Sequence, residues 1–537
     1  MSVSNRKTVC VIAIFAIVCF AVGCGRWGGR SKGTDKLAAE GDLGVTIGSL
    51  AEVLSPDLMA VQGYGLVGGL RGTGSAECPP QIRVYLTRHI LRQLPEHRID
   101  VGKLIESRDT AVVQVGGMMP VVGSKGRDFD LRVAALPGTQ TSSLEGGWLY
   151  GAELQVAGSF GVTSRVIAKA AGPVFIDTLS ISEADKKIGY ILAGGKVLDD
   201  NKVNLVLRKA DFITTAIIRN RLNERFGFGI ANAVSSGQII ITLPAKYKGQ
   251  ERKFISMVKA IYLDQTPEMT QKRINTFVKQ LAVLEDKDAS EIALEAMGSV
   301  VLDKLRILLN SSTEQVRLRV GRCMLNLGSD DGLLALGKIV FDEGSANRIE
   351  ALEVITRTAS RSDAAVISRR LLSEGDFDVS LAAYEQLRKL GDVSVTQNFI
   401  ARSFYLEQVV QTGHKAIYVS RSGQPRIVLF GASLRCRDNI FVQSADGSVT
   451  INAPAGQQYV SLIRRNPKRT GAVAQLRSSF ALGDIVYALC AEPSKKGEKR
   501  QGGLGVSYAE MISLLKQMCD KGAVRATFRA GPLPKIG

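Results

Sequence analysis

The spacing of apolar residues changes twice along this chain, and these two changes limit its fold more than any other feature. Residues 41–267 contain short runs in which apolar and polar residues alternate, residues 268–405 repeat apolar positions every three or four residues, and alternation returns in residues 410–537. A period of two is typical of half-buried strands, and a period near 3.6 of amphipathic helices. We therefore predict a multidomain protein with an α+β, β-rich first region, an all-α middle region and a β-rich α+β C-terminal region.

The first region contains strand-like runs and one clear helix. We predict the helix over residues 213–226, because Asp211 can cap its first turn and Gly227 can end it. The predicted strands are residues 111–115, 129–133, 203–207 and 238–243.

The middle region shows an internal repeat. Similar segments begin at Val316, Ile349 and Val379, at spacings of 33 and 30 residues. They resemble short HEAT-type helical repeats, although standard units have about 40 residues or more. A plain helical bundle is the alternative. The predicted helices are residues 268–284, 288–298, 300–309, 314–327, 332–341, 348–357, 363–372, 379–390 and 395–405.

The C-terminal region combines strands with one helix. The helix is predicted over residues 507–519, where Ser507 and Glu510 have the spacing of a capping box. Asp446 and Gly447 predict a hairpin between two strands. The predicted strands are residues 416–420, 426–430, 439–442, 448–451, 459–463, 484–489 and 524–528.

The N-terminus indicates export. Arg6 and Lys7 precede a run of 15 uncharged, mostly apolar residues, which has the length of a signal-peptide core. Small residues before Cys24 resemble the lipobox of bacterial lipoproteins, in which the cysteine is acylated. We predict a signal peptide at 1–23, lipidation of Cys24 and a flexible tether at 24–40. Ordinary signal cleavage near Gly23 is the alternative. Because no Asp follows Cys24, the resemblance implies an outer-membrane anchor facing the periplasm.

The positive charge lies mostly near the C-terminus. The chain carries a net charge of +18, and from residue 401 onward it has 20 Lys and Arg against 8 Asp and Glu. Basic clusters at 464–469 and 495–500 are either solvated loops or contacts to anionic lipid, peptidoglycan or a protein partner. Export excludes nucleic acid as a partner.

Residue types that carry chemistry are sparse and scattered. Five cysteines follow Cys24 without metal-ligand spacing, and an exported protein could pair two of the last three. No HExxH, GxSxG, SxxK or Walker motif surrounds the three histidines, and His89 and His97 fall on or after a predicted surface helix. We predict no catalytic residue, no cofactor and no metal site. The other cysteines and the third histidine are Cys78, Cys323, Cys436, Cys490, Cys519 and His414.

A glycine-rich segment at 62–74, QGYGLVGGLRGTG, matches the dinucleotide pattern GxGxxG only formally. That pattern should open a helix, whereas the glycines that follow here disfavour one. Tight turns and close strand packing explain the glycines better.

The same segment is similar to the signature of the flagellar basal-body P-ring protein family. Further pieces follow in the family's order, namely TAVVQV at 110–115, Pro120, GRDFD at 126–130, SLEGG at 143–147, DFITTA at 211–216 and FGFGIA at 226–231. The resemblance covers residues 41–267. The residues expected to form the family-signature loop are Gly63, Tyr64, Gly65, Leu66, Gly68, Gly69, Gly72, Thr73 and Gly74.

The resemblance implies a structural role without catalysis. Members of this family form a homo-oligomeric ring around the flagellar rod in the periplasm, and the ring acts as a bushing needed for motility. The implied partners are the rod and the outer-ring proteins, with peptidoglycan or anionic lipid at the basic C-terminal region and a membrane at the lipid. The alternative is a lipid-anchored envelope scaffold that recruits partners or cell wall.

Overall fold

The computed structural model describes residues 43–93, 100–158, 165–179, 185–199, 202–283, 288–465, 473–493 and 502–536. The signal peptide, Cys24, the tether, His97 and most of the two basic clusters lie outside these residues.

The first region combines helices and strands, as predicted. The predicted helix begins after Asp211, whose carboxylate accepts a hydrogen bond from the N–H of Thr214 (2.7 Å), and ends at Gly227. The elements are α1 (Ile47–Leu50), β1 (Ala51–Val53), β2 (Leu58–Gly68), α2 (Pro80–Gln93), α3 (Val101–Ile105), β3 (Thr110–Pro120), β4 (Asp128–Ala135), β5 (Trp148–Val156), β6 (Ala168–Pro173), β7 (Ile188–Val197), β8 (Val203–Leu207), α4 (Phe212–Phe226), β9 (Ala231–Ser235), β10 (Gln238–Ile241), a 3-10 helix (Ala245–Tyr247) and α5 (Glu251–Ala260).

Strands β2 to β7 close into a six-stranded antiparallel barrel, in the order β2-β3-β4-β7-β6-β5, with β5 pairing back to β2. Alternate residues of each strand fill its interior, and in β4 these are Phe129, Leu131 and Val133. Closure leaves no free sheet edge. Outside the barrel, α2 and α3 pack against Leu66 and Val112.

A second, four-stranded antiparallel sheet has the order β1-β8-β10-β9. Helices α4 and α5 cover it, and Leu222, Phe254 and Met257 pack against Leu205 and Ile239 in its core. Because β1 precedes the barrel and β8 follows it, the barrel is an insertion between two paired strands of this sheet.

The middle region is helical, and its eight predicted helices between residues 268 and 390 are confirmed. The helices are α6 (Pro267–Val283), α7 (Asp288–Met297), a 3-10 helix (Ser299–Val301) followed by α8 (Leu302–Leu308), α9 (Glu314–Asn326), α10 (Asp331–Val340), α11 (Arg348–Thr358), α12 (Arg361–Leu371) and α13 (Phe377–Leu390).

The helix predicted at 395–405 is wrong. These residues form β11 (Val395–Ile400) and the start of β12 (Phe404–Val409), which pair antiparallel around a turn where Ala401 and Arg402 have φ of 47° and 52°. A short apolar run fits both the strand period of two and the helical period of 3.6, so a segment of 11 residues does not distinguish a strand from a helix.

In the part that the structure describes, the C-terminal region contains two sheets and two helices. The sheets are a five-stranded mixed sheet, β11-β12-β14-β13-β19, and an antiparallel one, β15-β16-β17-β18. The elements that follow β12 are β13 (Ala416–Val419), β14 (Arg426–Phe430), β15 (Ile440–Gln443), β16 (Val449–Ala453), β17 (Val460–Arg465), β18 (Val473–Ser478), α14 (Leu482–Cys490), α15 (Tyr508–Asp520) and β19 (Thr527–Ala530).

Two sequence predictions in this region had opposite outcomes. The capping box is confirmed, since Ser507 Oγ accepts from the N–H of Glu510 (3.3 Å) and Glu510 Oε2 accepts from the N–H of Ser507 (2.8 Å). The strand predicted at 484–489 is wrong, because these residues belong to α14. The buried residues of α14 recur with the helical period. This period becomes visible only over a stretch longer than the six residues 484–489. They are Leu482, Ile485, Val486, Leu489 and Cys490.

The central strands of the mixed sheet, β12, β14 and β13, are buried on both faces. Tyr418, Val428 and Phe430 pack against the middle helices, whereas Ile427 and Leu429 pack against the core that contains α14 and α15. The middle and C-terminal regions therefore share a core.

The cysteines of the described residues remain unpaired. Cys78, Cys323, Cys436, Cys490 and Cys519 are all free thiols, so the disulfide that we allowed among the last three is not formed. None of the helices in the described part of the chain has both the length and the apolar character that crossing a membrane requires.

The ion pair between Arg369 of α12 and Asp392, which follows α13, makes the stability of the fold depend on pH in the acid range. Arg369 donates to Asp392 through Nε (3.1 Å) and Nη2 (2.6 Å), and the N–H (3.0 Å) and Oγ (2.7 Å) of Ser394 donate as well. These bonds, the one from Arg369 first, hold the pKa of Asp392 well below its usual value of 3.8. The stabilisation is therefore present above pH 3.8 and is lost as the pH falls toward the lower, folded-state pKa.

We expect Asp392→Asn to lower the free energy of unfolding by about 1–2 kcal/mol at neutral pH. Urea unfolding between about pH 7 and pH 2 should show the difference from wild type shrinking below about pH 4. The control is Asp303→Asn, which alters an exposed ion pair with Arg306. A difference that stays constant across this pH range would contradict the assignment.

Candidate functional site

The signature segment is a strand in its first half, which corrects the prediction of a loop throughout. Residues 63–68 are the end of β2, and a turn begins at Gly69. The glycines do not open a helix, since the next helix, α2, begins only at Pro80, so the dinucleotide pattern has no structural basis here. Gly63 and Gly65 of this strand face the barrel interior, where the neighbouring strand comes very close.

Side chains at the glycine positions would collide with β5. A Cβ on Gly63 would lie 2.2 Å from the carbonyl oxygen of Glu153, and a Cβ on Gly65 would lie 2.8 Å from Cδ1 of Leu149. Tyr64 and Leu66 point the other way, into the apolar cluster under α2 and α3. Glycine alternating with large residues therefore allows close packing inside and hydrophobic packing outside.

The second half of the segment is a tightly fixed turn. Gly69, Arg71 and Gly72 have φ of 80°, 51° and 89°, a region in which glycine has little strain. Leu70 is buried, and its N–H donates to the carbonyl of Asp109 (3.0 Å). At Gly74 a Cβ would lie 2.0 Å from the carbonyl oxygen of Thr110.

Two of the motifs that carry the family resemblance meet at this turn. Thr73 Oγ1 donates to the carbonyl of Ser143 (2.8 Å), and the Thr73 carbonyl accepts from the N–H of Ser142 (2.8 Å). Gly147 leaves room for Val67 and Leu70, since a Cβ there would lie 2.4 Å from Val67. The segments 62–74 and 143–147 are therefore one packed unit.

A third motif, at 126–130, contacts the C-terminal region. Asp130 accepts from the N–H of Ala193 (2.7 Å) within the barrel. The same carboxylate accepts from the N–H of Gly423 at 3.0 and 2.8 Å, in the loop between β13 and β14. One acidic side chain thus joins β4, β7 and the C-terminal region.

A second contact lies close by in the chain. Arg421 Nη1 is 3.1 Å from the carboxylate of the buried Asp177, and Arg421 Nε donates to the carbonyl of Gly531 (2.7 Å). Phe175, two residues before Asp177 in the barrel region, packs on Tyr508 with ring centroids 5.9 Å apart. The C-terminal region is therefore docked on the barrel by both charge and apolar contact.

A mostly apolar cavity of about 290 Å³ lies at this junction. Trp148 and Phe175 line it from the barrel, and Phe404, Cys490 and Tyr508 line it from the C-terminal region. Burial raises the pKa of both the Cys490 thiol and the Tyr508 hydroxyl. Both groups therefore stay protonated at neutral pH, and neither is an activated nucleophile.

The contact between the barrel and the C-terminal region was not predicted from the sequence, because Gly423 contributes only a backbone N–H, which every residue except proline has.

The residues that the sequence analysis considered for catalysis or binding do not come together in the structure. His89 is buried rather than on a surface helix face, and its Nε2 lies 2.6 Å from the carbonyl oxygen of Gly151. Arg464, in the first basic cluster, donates to the carbonyl of Leu504 (2.5 Å). Within the described residues, no three His, Cys, Asp or Glu side chains group as metal ligands would.

A comparison with known proteins finds relatives of the part of the chain that contains the barrel and the small sheet. The family model for the flagellar P-ring protein matches residues 46–283, and so extends through α6, which we had assigned to the helical repeats. Within the structure, buried Arg273 ties α6 to the segment after α5 through the Tyr262 ring (4.1 Å) and the carbonyl of Asp264 (2.5 Å).

Curated relatives give the same result. The flagellar P-ring protein of Thermotoga maritima is 29% identical over 214 residues, covering 37% of this chain and 61% of the relative. That of Desulfotalea psychrophila is 30% identical over 219 residues, covering 37% and 53%. That of Escherichia coli O9:H4 is 27% identical over 255 residues, covering 43% and 67%.

The chain thus spans about 61% of the length of the Thermotoga maritima relative. The matched part contains the barrel, the small sheet and the joined signature motifs. Residues 46–283, which are less than half of the chain, are therefore similar in sequence to the flagellar P-ring protein family.

Proposed function

We propose that this chain is a structural subunit of the flagellar basal body, which assembles in many copies around the rod as a periplasmic bushing and is needed for motility. The observation that carries the proposal is the family match over the barrel and the small sheet. The signature residues support a mechanical role. Their glycines permit close backbone approach, and Thr73 links two turns.

Gene deletion combined with electron microscopy tests this proposal. Cells without the gene should not swim, and their hook–basal bodies should lack the periplasmic ring. A tagged full-length copy should restore both and should place the tag at the ring. Normal swimming after deletion would overturn the proposal and would leave the envelope-scaffold function in its place.

We further propose that α7 to α13 form HEAT-like repeats that act as a spacer or protein-binding arm. Polar contacts recur between helices about 30 residues apart. Arg322 of α9 bonds Glu291 of α7 (2.6 Å) and also contacts Glu350 of α11, and Thr356 of α11 bonds Gln386 of α13 (3.1 Å). Alternate helices thus stack side by side, as in a solenoid.

The boundaries of the regions are also a proposal. The P-ring-like region would continue through α6, and the helical region would end at Leu390, where the strands of the mixed sheet follow. The basic C-terminal region would contact peptidoglycan or anionic lipid, and the barrel side would contact the rod or the outer-ring proteins.

We propose that Cys24 is acylated and holds the ring subunit at the outer membrane. Cys24→Ser should abolish incorporation of radiolabelled palmitate and move the protein from the membrane to the soluble periplasmic fraction. One acyl chain gives only marginal binding, so the loss of a multiply acylated anchor should release the protein fully. Cys19→Ser, within the apolar run, is the matched control. Unchanged labelling in Cys24→Ser would exclude this site.

A further inference from the structure

A cleft of about 620 Å³ lies between the turn before α5 and the helices α11 and α13. Lys248 and Gln250 line it on one side, and Arg357 of α11 and Lys389 of α13 line it on the other. Its volume falls in the range of about 300–1,000 Å³ that is usual for small-molecule sites. Most of its lining is polar, so the cleft suits a polar ligand.

The charged side chains that line this cleft are mostly basic. Lys248, Arg357 and Lys389 are exposed, and none of the three has an ion-pair partner within the described residues. Glu353, one helical turn before Arg357, is the one carboxylate among the described residues of the lining. The lining therefore has an excess of two positive charges, which favours an anionic ligand.

A buried amide gives the cleft a free hydrogen-bond donor. Gln386 lines the cleft although it is only 6% exposed. Its Oε1 accepts from the Thr356 hydroxyl (3.1 Å) and from the Lys389 ammonium (3.5 Å). Because an ammonium group can only donate, these bonds fix the orientation of the amide. Its Nε2 has no partner in the described part of the chain, and a ligand oxygen would satisfy this donor.

The start of α5 borders the same cleft. Gln250 immediately precedes α5, and its side chain forms no hydrogen bond to the first turn of the helix. Glu251, in that turn, is already paired with Arg127 (3.2 Å). Backbone N–H groups at the start of a helix attract anions, so this end of α5 adds to the attraction of the three cations.

A neighbouring cleft lacks this combination of groups. It shares Thr356 and Lys389 with the first cleft, but its two arginines are engaged within the protein. Arg388 donates to Glu407 (2.7 Å), and Arg361 donates to the carbonyl of Leu390. Unpaired cations together with a free amide therefore distinguish the cleft beside α5.

We propose that the cleft between the turn before α5 and the helices α11 and α13 binds a phosphate group, as inorganic phosphate or as a phosphate monoester. Such a group carries about 1.5–2 negative charges near neutral pH, which matches the excess of positive charge, whereas a carboxylate carries one. Arg357 can bond two phosphate oxygens, Lys248 and Lys389 supply point charges, and Gln386 Nε2 donates to a further oxygen. This site goes beyond the proposed role in the flagellum and does not depend on it.

Isothermal titration calorimetry of the purified full-length chain tests the site. Inorganic phosphate and glycerol phosphate are titrated separately at constant ionic strength, with acetate as the carboxylate probe. Saturable binding of at least one phosphate compound, at one site per chain, is expected. Binding of inorganic phosphate alone would identify free phosphate as the ligand, and tighter binding of glycerol phosphate would identify an ester. No saturable binding of either compound, or equally tight binding of acetate, would overturn the proposal.

Gln386→Glu is the most informative variant. It keeps an oxygen that accepts from Thr356 and Lys389, but it replaces the donor Nε2 with a second, negatively charged oxygen. It should weaken phosphate binding more than about tenfold, and Arg357→Gln should weaken it about tenfold. Circular dichroism should show that both variants are folded.

Lys304→Gln, at an exposed lysine of α8, is the matched control because it removes one positive charge outside the cleft. It should leave the affinity nearly unchanged, since salt screens distant charges. Unchanged affinity in both Gln386→Glu and Arg357→Gln, or equal weakening by Lys304→Gln, would show that the cleft is not the binding site.

Discussion

Replacement of Gly63 by alanine is expected to separate β2 from β5 and to lower the free energy of unfolding of the barrel by about 3 kcal/mol or more. The added Cβ would lie 2.2 Å from the carbonyl oxygen of Glu153, and a backbone atom cannot rotate away as a side chain can. β2 and β5 close the barrel, so their separation opens it along its length. Hydrogen exchange of the β2 and β5 amides and urea unfolding would measure the effect.

Gly116 provides the matched control, because it lies on β3 of the same barrel with room for a methyl group. Its nearest atom would be the carbonyl oxygen of Val61, at 3.4 Å. Gly116→Ala should therefore change the free energy of unfolding by less than about 1 kcal/mol. Equal effects of the two substitutions would show that close approach to β5 is not what requires glycine at position 63.

Arg388→Met should destabilise the junction of α13 with the mixed sheet by about 3–5 kcal/mol, because it leaves a buried carboxylate without its cation. Glu407 of β12 is fully buried and accepts hydrogen bonds from Arg388 Nε (2.7 Å) and from the Tyr384 hydroxyl. Loss of amide protection in β12 and a lower urea midpoint would measure the effect.

The double variant Arg388→Met with Glu407→Leu should recover much of this loss, since no buried charge remains. Recovery should be incomplete, because the Tyr384 hydroxyl loses its acceptor, at a cost of about 1–3 kcal/mol. The control is Arg306→Met at the exposed pair with Asp331, where solvent screens the charges and the loss of stability should be far smaller than in Arg388→Met. A double variant as unstable as Arg388→Met would show that the buried charge is not the cause.

Local signals in the sequence predicted local structure well. The cap at Asp211 and the capping box at Ser507 each depend on residues three positions apart, so the sequence contains both partners. The errors at 395–405 and 484–489 arose where a short apolar run fits a strand and a helix equally, and where packing against distant elements decides.

Long-range contacts were beyond prediction from this sequence. Barrel closure depends on β2 meeting β5, and each strand alone resembles a strand of an open sheet. Asp130 and Gly423 are separated by 293 residues, and neither has a feature that indicates the other. The glycines at 63 and 65 did indicate close packing, and the family signature indicated which strands to expect, but not that the C-terminal region covers part of the barrel.

The insertion of the barrel between β1 and β8 determines the order in which the chain can fold. β1 pairs with β8 in antiparallel register, Ala51 opposite Leu207, so this pairing has to wait for the intervening strands. An unfolded segment of that length would make the encounter slow, because closing a long loop costs entropy. Prior collapse of the barrel shortens the loop, since the barrel strands β2 to β7 make up most of the segment between β1 and β8. The small sheet is therefore expected to form after the barrel.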